Sequence, residues 1–264
     1  MRITIQQILD QLTAPAPTLE HTVDRLETGD PAAEVTGIGV TFMPTHQVIR
    51  NAAGLGINLL ITHEGAYYSH HIQTDLLREN EVYSQKQELI EASGIAVFRL
   101  HDAIHKYNPD GITAGLVQAM GWEDFVLKFH PASAVLNLPE MTAAEIAEQA
   151  KLKLDIPYVR VAGDLSMRCR RAGILVGYRG GGANAIPLFG EENLDVIIAG
   201  EGPEWETPEY VRDAVQQGRR KALIMLGHAE SEAPGMRALA KRLQALFPTV
   251  PVHYLKERPL FQIV

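Results

Sequence analysis

Short apolar runs alternate with amphipathic segments along the chain, and this alternation predicts strands that alternate with helices. The runs at residues 58–62 and 95–100 contain mainly apolar residues, which is typical of strands buried on both faces of a sheet. A more polar helix is predicted between them at 82–93, and Gly94 ends it. Strands and helices in alternation predict an α/β fold.

The second half of the chain repeats this order of elements. A capping box opens a helix at Thr142, because its hydroxyl and the carboxylate of Glu145 can pair with the first backbone N–H groups. A later helix starts at Thr207 and ends at Gly218. The remaining predicted elements are strands at 158–162, 172–177, 194–199 and 222–226 and a long helix at 233–247.

Two blocks of sequence recur in both halves. Residues 56–65 align with residues 193–202, and residues 97–105 align with residues 224–232. Each half therefore contains a strand, a Glu-Gly turn, a helix, a second strand and a histidine that is followed four residues later by histidine or glutamate. The common order indicates an internal duplication. The predicted halves are residues 1–125 and 126–264.

Composition excludes several classes of protein. The chain has 264 residues and a formal net charge of −8, so we do not expect a nucleic-acid groove, which needs clustered Lys and Arg. No apolar run approaches the roughly 18 residues of a membrane span. The single cysteine, Cys169, cannot form an internal disulfide and fits a reducing compartment. We therefore expect a cytoplasmic protein whose partner is a small molecule.

Histidine and glutamate residues gather where the predicted buried strands end. His63-Glu64 follows one strand, and His101 and His228 follow two others. Imidazole and carboxylate groups together suit Zn²⁺, Fe²⁺ or Mn²⁺, and six donors are more than one tetrahedral ion needs. We therefore predict two divalent metal ions per chain. The predicted ligands are His63, Glu64, His101, His105, His228 and Glu232.

Two further carboxylates are catalytic candidates, Asp102 and Glu201. Glu201 occupies the repeat position of Glu64, so it is expected to orient a ligand or to act as a general base on water. A role in stabilising a turn is an equally good interpretation. His70-His71 lies in a polar stretch, which favours a surface loop or a loop that faces substrate. The glycines at 180–182 are compatible with a phosphate cradle, although a tight turn is the simpler explanation.

Four motifs resemble those of the Nif-three-like family, whose members often carry the name GTP cyclohydrolase 1 type 2 homologue. The motifs are Ile61-Thr-His-Glu64, Arg99-Leu-His-Asp-Ala-Ile-His105, Ala199-Gly-Glu201 and Gly227-His-Ala-Glu-Ser-Glu232. The resemblance implies a duplicated α/β fold of two intertwined domains with mixed sheets. It also implies a dinuclear metal site at their junction and a ring-shaped homo-oligomer, commonly a hexamer.

Two positions depart from the family pattern. Glu64 stands where the family usually has a second histidine, and His105 stands where it usually has aspartate. The exchange keeps the number of donors but swaps oxygen and imidazole between positions. The resulting hypothesis is a metal-dependent hydrolase that acts on a small polar compound resembling a nucleotide or pterin. The alternative is a regulatory or scaffold protein that binds metal without turnover.

Overall fold

The computed structural model describes residues 2–71, 75–77 and 79–264. The chain forms two compact units, of which the first contains the residues up to Asn108 together with Met236–Val264 and the second contains Pro109–Gly235. This division differs from the predicted halves, 1–125 and 126–264, because the C-terminal segment returns to pair with a strand of the first unit. The two units are thus intertwined along the sequence, as the resemblance implied.

The elements alternate between helix and strand through most of the chain. The helices are α1 (Ile5–Thr13), α2 (His46–Gly54), α3 (Glu81–Ser93), α4 (Asp102–His105), α5 (Gly111–Met120), α6 (Ala143–Leu154), α7 (Gly182–Glu191), α8 (Thr207–Gln216) and α9 (His228–Leu246). The strands are β1 (Arg25–Thr28), β2 (Ile38–Thr41), β3 (Leu59–Thr62), β4 (Ala96–Arg99), β5 (Val126–His130), β6 (Ser133–Thr142), β7 (Arg160–Gly163), β8 (Arg168–Leu175), β9 (Val196–Ala199), β10 (Ala222–Met225) and β11 (Val252–Tyr254). Within the described ranges, none of these helices has the apolar length that a bilayer crossing requires.

The sheet of the first unit has the strand order β1-β4-β3-β2-β11. Its strands run parallel except at the β1 edge, which pairs antiparallel with β4. Every residue of β2, β3 and β4 is buried, as the continuous apolar runs predicted. Because parallel strands end at the same edge of a sheet, the residues that follow β3 and β4 emerge side by side.

The second unit contains a sheet in the order β5-β6-β8-β9-β10-β7. Strands β8, β9 and β10 are parallel, whereas the outer strands pair antiparallel, so this sheet is also mixed. The parallel pairing of β9 with β10 has the same register as that of β3 with β4. In each pair, the first residue of one strand lies opposite the first residue of the other, and the last residues also lie opposite each other. This equivalence confirms the predicted duplicated α/β architecture.

Helix α9 begins earlier than the sequence pattern predicted. The expected start was residue 233, which would have placed Pro234 in the first turn, where a helix tolerates proline best. The structure instead starts α9 at His228 and places Pro234 inside it. His228 and Glu232 therefore lie one turn apart on one helix face, which is the separation at which two side chains can bind the same group.

Glycines let α5 approach the early part of α9 closely. A Cβ atom on Gly115 would lie 2.4 Å from the Cα of Gly235, and a Cβ on Gly235 would lie 2.6 Å from the Cα of Ile112. Backbone atoms occupy both positions, so no side-chain rotation can make room for an added methyl group. This crossing fixes the part of α9 that carries His228 and Glu232.

Gly115→Ala is expected to lower the free energy of unfolding by about 1–3 kcal/mol, since the added methyl group forces two backbones apart. Gly190→Ala is the matched control, because it also lies in a helix but a Cβ there meets nothing within 4 Å. That control should be neutral or stabilising by about 0.4–1 kcal/mol. Urea titration measures both, and equal effects of the two substitutions would contradict the close crossing.

Candidate metal site

Three imidazole rings meet at the carboxyl ends of β3 and β4. Thr62 pairs with Arg99 in the sheet, so His63 and His101 leave the sheet edge beside each other. The ring centroids of His63 and His101 lie 4.6 Å apart, and the His105 ring lies 5.0 Å from His63 and 5.1 Å from His101. One nitrogen from each ring falls within 4.8 Å of the others, a spacing that suits a shared metal ion.

The hydrogen bond of His63 selects the tautomer that binds metals. Its Nδ1 lies 3.1 Å from the backbone oxygen of Leu100, and only a protonated Nδ1 can donate to that carbonyl. The lone pair then resides on Nε2. The His63 side chain is fully buried, so its orientation is fixed by packing as well as by this bond.

Asp102 orients His101. Its Oδ1 lies 2.9 Å from His101 Nδ1, while its Oδ2 accepts hydrogen bonds from the Thr22 hydroxyl and the Val23 backbone N–H. Burial alone would raise the pKa of Asp102, but these hydrogen bonds and the nearby imidazole lower it to about 2. An ionised carboxylate at Nδ1 keeps the proton on that nitrogen and leaves Nε2 as the donor atom for a metal.

Glu64 is held between the buried guanidinium of Arg99 and His101. Arg99 Nη2 donates to Glu64 Oε2 at 2.7 Å, and Glu64 Oε1 lies 3.6 Å from His101 Nε2. The arginine side chain has no solvent-exposed surface, so its charge needs this carboxylate partner. Glu64 thus presents one oxygen to the imidazole cluster while the other oxygen binds Arg99.

A second cluster lies in the second unit and contains His228, Glu201 and Glu232. His228 Nδ1 lies 2.8 Å from Glu201 Oε1, and His228 Nε2 lies 3.1 Å from Glu232 Oε2. Burial would lower the pKa of His228, but the hydrogen bonds and charges of Glu232 and Glu201 outweigh it and raise the pKa to about 9. Without metal, an imidazolium therefore joins the two carboxylates.

Gly177 makes room for this second cluster. A Cβ on Gly177 would lie 2.2 Å from Glu232 Oε1 and 3.2 Å from His228 Nε2, and its φ of +57° is one that side chains rarely adopt. The Gly177 N–H donates to Ser231 Oγ at 2.8 Å, which ties this turn to α9. Any larger residue would displace the carboxylate from the imidazole.

Both clusters share one arrangement, in which a histidine has a carboxylate at each ring nitrogen. In the first unit the order is Asp102, His101 and Glu64; in the second unit it is Glu201, His228 and Glu232. The sequence repeat aligned Glu201 with Glu64, whereas the geometry gives Glu201 the position of Asp102. The predicted ligands His63, Glu64, His101 and His105 thus gather in the first unit, and His228 and Glu232 gather in the second.

Sequence reasoning missed the contribution of Arg99 and left His70 in a loop without an assigned partner. Arg99 contacts both Glu64 and His70. The signal was present, because a charged residue inside the apolar run 95–100 must find a partner when that run is buried. The glycines at 180–182 do not leave an anion cradle open, since the Gly182 N–H donates to Glu206 Oε2 at 2.6 Å.

Comparison with known proteins identifies relatives over nearly the whole chain. The model of the family Duf34/NIF3 (NGG1p interacting factor 3) matches residues 3–259. A GTP cyclohydrolase 1 type 2 homolog of Deinococcus radiodurans is 27% identical over 76% of this chain and 73% of its own length. One from Clostridium perfringens is 25% identical over 83% of this chain and 82% of its own length. The crystal structure of Staphylococcus aureus protein SA1388 superposes with a TM-score of 0.75 at 19% identity, over 99% of each chain, which shows a common fold.

The raised pKa of His228 predicts how the stability of the metal-free protein depends on pH. The folded-state pKa of about 9 exceeds the ordinary value of 6.5, so the stabilisation from His228 is complete below pH 6.5 and is lost as pH rises toward 9. In thermal melts with chelator, the free energy of unfolding of wild type should therefore exceed that of His228→Ala by about 1–3 kcal/mol at pH 6. This difference should disappear by pH 9. A difference in unfolding free energy that widens as pH rises would contradict the protonated state assigned to His228.

Proposed function

This chain belongs to the Duf34/NIF3 family, and we propose that it binds two divalent metal ions and hydrolyses a small polar substrate. The observation that carries the proposal is the repeated histidine with a carboxylate at each ring nitrogen. The proposed ligands are His63, Glu64, His101, His105, His228 and Glu232.

The donor chemistry fits Zn²⁺, Fe²⁺ or Mn²⁺, because imidazole nitrogens and carboxylate oxygens are combined without thiolates. Such an ion, when bound, would act as a Lewis acid that lowers the pKa of water and so makes it nucleophilic at neutral pH. The chain itself contributes preset tautomers, since Leu100 fixes the Nδ1 proton of His63 and Asp102 fixes that of His101.

Asp102 and Glu201, the predicted catalytic residues, are proposed to orient the metal-binding histidines. Each lies within hydrogen-bond distance of an Nδ1 atom. The pKa of Asp102, lowered to about 2 by its hydrogen bonds in spite of burial, makes it a weak base. Orientation therefore suits the geometry better than proton abstraction.

A planar, nucleotide-like or pterin-like substrate is supported by exposed aromatic residues. Tyr178 and Trp205 are 63% and 76% exposed, and they lie on the two loops that carry Gly177 and Glu201. These loops are joined by backbone hydrogen bonds, from Glu201 N–H to Gly177 oxygen at 2.8 Å and from Gly180 N–H to Glu201 oxygen at 3.0 Å. Exposed aromatic faces on a rigid support are suited to stacking against a heterocycle.

A regulatory or scaffold protein that binds metal without turnover is the second candidate. Its support is the burial of the first cluster, since His63 is fully buried and His105 nearly so. A homo-oligomer, with a ring of six favoured, is also proposed from the resemblance, and a cytoplasmic location is proposed from the single cysteine, Cys169. Light scattering tests the oligomeric state, because a hexamer has six times the chain mass of 29.1 kDa.

Protein purified without chelator should contain about two transition-metal ions per chain by elemental analysis. His101→Ala and His228→Ala should each lower the metal content, because each removes a proposed ligand. His130→Ala is the matched control, since His130 also binds a glutamate, Glu192 at 2.8 Å, but is not one of the proposed ligands. Absence of metal after reconstitution with Zn²⁺, Fe²⁺ and Mn²⁺ would refute the proposal.

The Glu201→Gln variant distinguishes a role of Glu201 in orienting His228 from a role as a general base. The amide oxygen can still accept from His228 Nδ1, so metal affinity should fall about 10–100-fold, while turnover at saturating metal stays within about tenfold of wild type. Chelator competition and hydrolysis of a nucleotide and phosphoester panel measure the two quantities. A loss of turnover of about 10²–10⁴-fold with metal retained would make Glu201 a general base. Wild-type protein that is fully loaded yet inactive on the panel would favour the scaffold.

A further inference from the structure

One buried arginine binds both Glu64 and the loop that follows it. Arg99 Nη1 donates to the backbone oxygen of His70 at 2.7 Å. Arg99 Nη2 lies 2.7 Å from Glu64 Oε2 and 3.0 Å from His70 Nδ1. The rigid guanidinium fork therefore sets the position of the His70 backbone and ring together with that of the Glu64 carboxylate.

The contact with Arg99 determines the tautomer of His70. A guanidinium has only N–H donors and no acceptor, so His70 Nδ1 must offer its lone pair. The imidazole proton then lies on Nε2. This is the reverse of His63 and His101, where a backbone oxygen or a carboxylate holds the proton on Nδ1.

The same contact argues against His70 as a metal ligand. Glu64, His70 and His101 each have a donor atom within 4.8 Å of the others, which is close enough to share an ion. However, the buried guanidinium already lies between Glu64 Oε2 and His70 Nδ1, and a second cation there would be repelled by its like charge. Nε2, the other nitrogen, carries a proton and has no lone pair to give.

We propose that His70 is a substrate-binding residue that donates its Nε2–H to an oxyanion beside the first cluster, and that Arg99 is the positioning residue that fixes this tautomer. The His70 ring lies edge-on to the His101 ring with centroids 4.7 Å apart, and its side chain is 44% exposed. His70 is thus accessible to a ligand and adjacent to a proposed metal ligand. The substrate contact rests on the proposed function, whereas the tautomer does not.

The loop between Glu64 and His70 is held in advance of any ligand. Lys86, which is buried, donates from Nζ to the Ala66 backbone oxygen and lies 4.8 Å from the centre of the Tyr68 ring. Tyr68 has a φ of +56°, an unfavourable conformation for a residue with a side chain. Because Lys86 holds the chain before Tyr68 and Arg99 holds it after, His70 is already in place, and a ligand that binds there need not order the loop.

The substrate contact is tested with inorganic phosphate as the probe, by calorimetry on Zn²⁺-loaded protein. His70→Ala should weaken phosphate binding about 10–100-fold while metal content stays at the wild-type value. His70→Gln should recover most of the affinity, because its amide N–H₂ reaches about as far as Nε2. His70→Asn should not, since its amide reaches only as far as Nδ1. His71→Ala is the matched control, a neighbouring exposed histidine whose ring centroid lies 4.9 Å from that of His70.

The tautomer is tested separately by ¹⁵N NMR of the imidazole groups in metal-free and Zn²⁺-loaded wild type. The expected spectrum shows His70 protonated on Nε2 with an unprotonated Nδ1. In Arg99→Lys, whose single ammonium cannot make all three contacts, this signal should shift toward a mixture of tautomers, and phosphate binding should weaken as in His70→Ala.

Several outcomes would overturn the inference. Loss of metal in His70→Ala would make His70 a ligand, and a proton on Nδ1 would remove the role of Arg99. Equal phosphate affinity in wild type and His70→Ala, or no phosphate binding by fully loaded wild type, would refute the oxyanion contact. Failure of wild type to bind metal would instead refute the proposed function, and the metal-free spectrum would still decide the tautomer.

Discussion

The parallel pairing of β3 with β4 is the constraint on which the first cluster depends. Thr62 faces Arg99 at the end of this pair, so the next residues of both strands leave the sheet at the same level. A shift of the register by one residue would exchange the faces of every following side chain. The second unit uses the same register between β9 and β10, which places Glu201 near the start of α9. Two equivalent strand pairs therefore generate two histidine–carboxylate clusters.

Arg99 shows how the sheet and the cluster stabilise each other. A guanidinium at the end of a fully buried strand costs free energy unless its charge and hydrogen bonds are satisfied. Glu64 and the His70 backbone oxygen accept hydrogen bonds from its two Nη atoms, and both belong to the segment that follows the adjacent strand β3. The requirement to pair a buried charge thus becomes a restraint on the loop that carries His70. The hydrogen bonds that offset the cost of burying Arg99 also orient the Glu64 carboxylate and the His70 imidazole.

The sequence predicted the buried parallel strands well, because four-residue apolar runs bounded by turns have few alternatives. It also placed His63, His101 and His228 just after buried strands, as the structure does, while their role as metal ligands stays a prediction. It did not predict β6, which ends in alternating and polar residues (Ser133–Thr142) and lies next to β5, a strand with little burial. The start of α9 was missed because the close packing of Gly115 on Gly235, which holds the helix around Pro234, leaves no signal in a local sequence pattern. Pairing partners such as Arg99 with His70 depend on loop geometry that no local pattern encodes.

The two carboxylates at the Nδ1 positions come from different places in the two repeats. Asp102 follows His101 directly, whereas Glu201 comes from the turn after β9, 27 residues before His228. These are not equivalent positions in the repeat, yet each places an oxygen within 2.9 Å of an Nδ1 atom. A bridge of this kind made from unrelated chain positions indicates a requirement for histidine orientation itself, since simple inheritance would have placed both carboxylates at matching positions. Fixed imidazole direction matters most where a lone pair must meet a metal ion, and much less where a histidine only fills a turn.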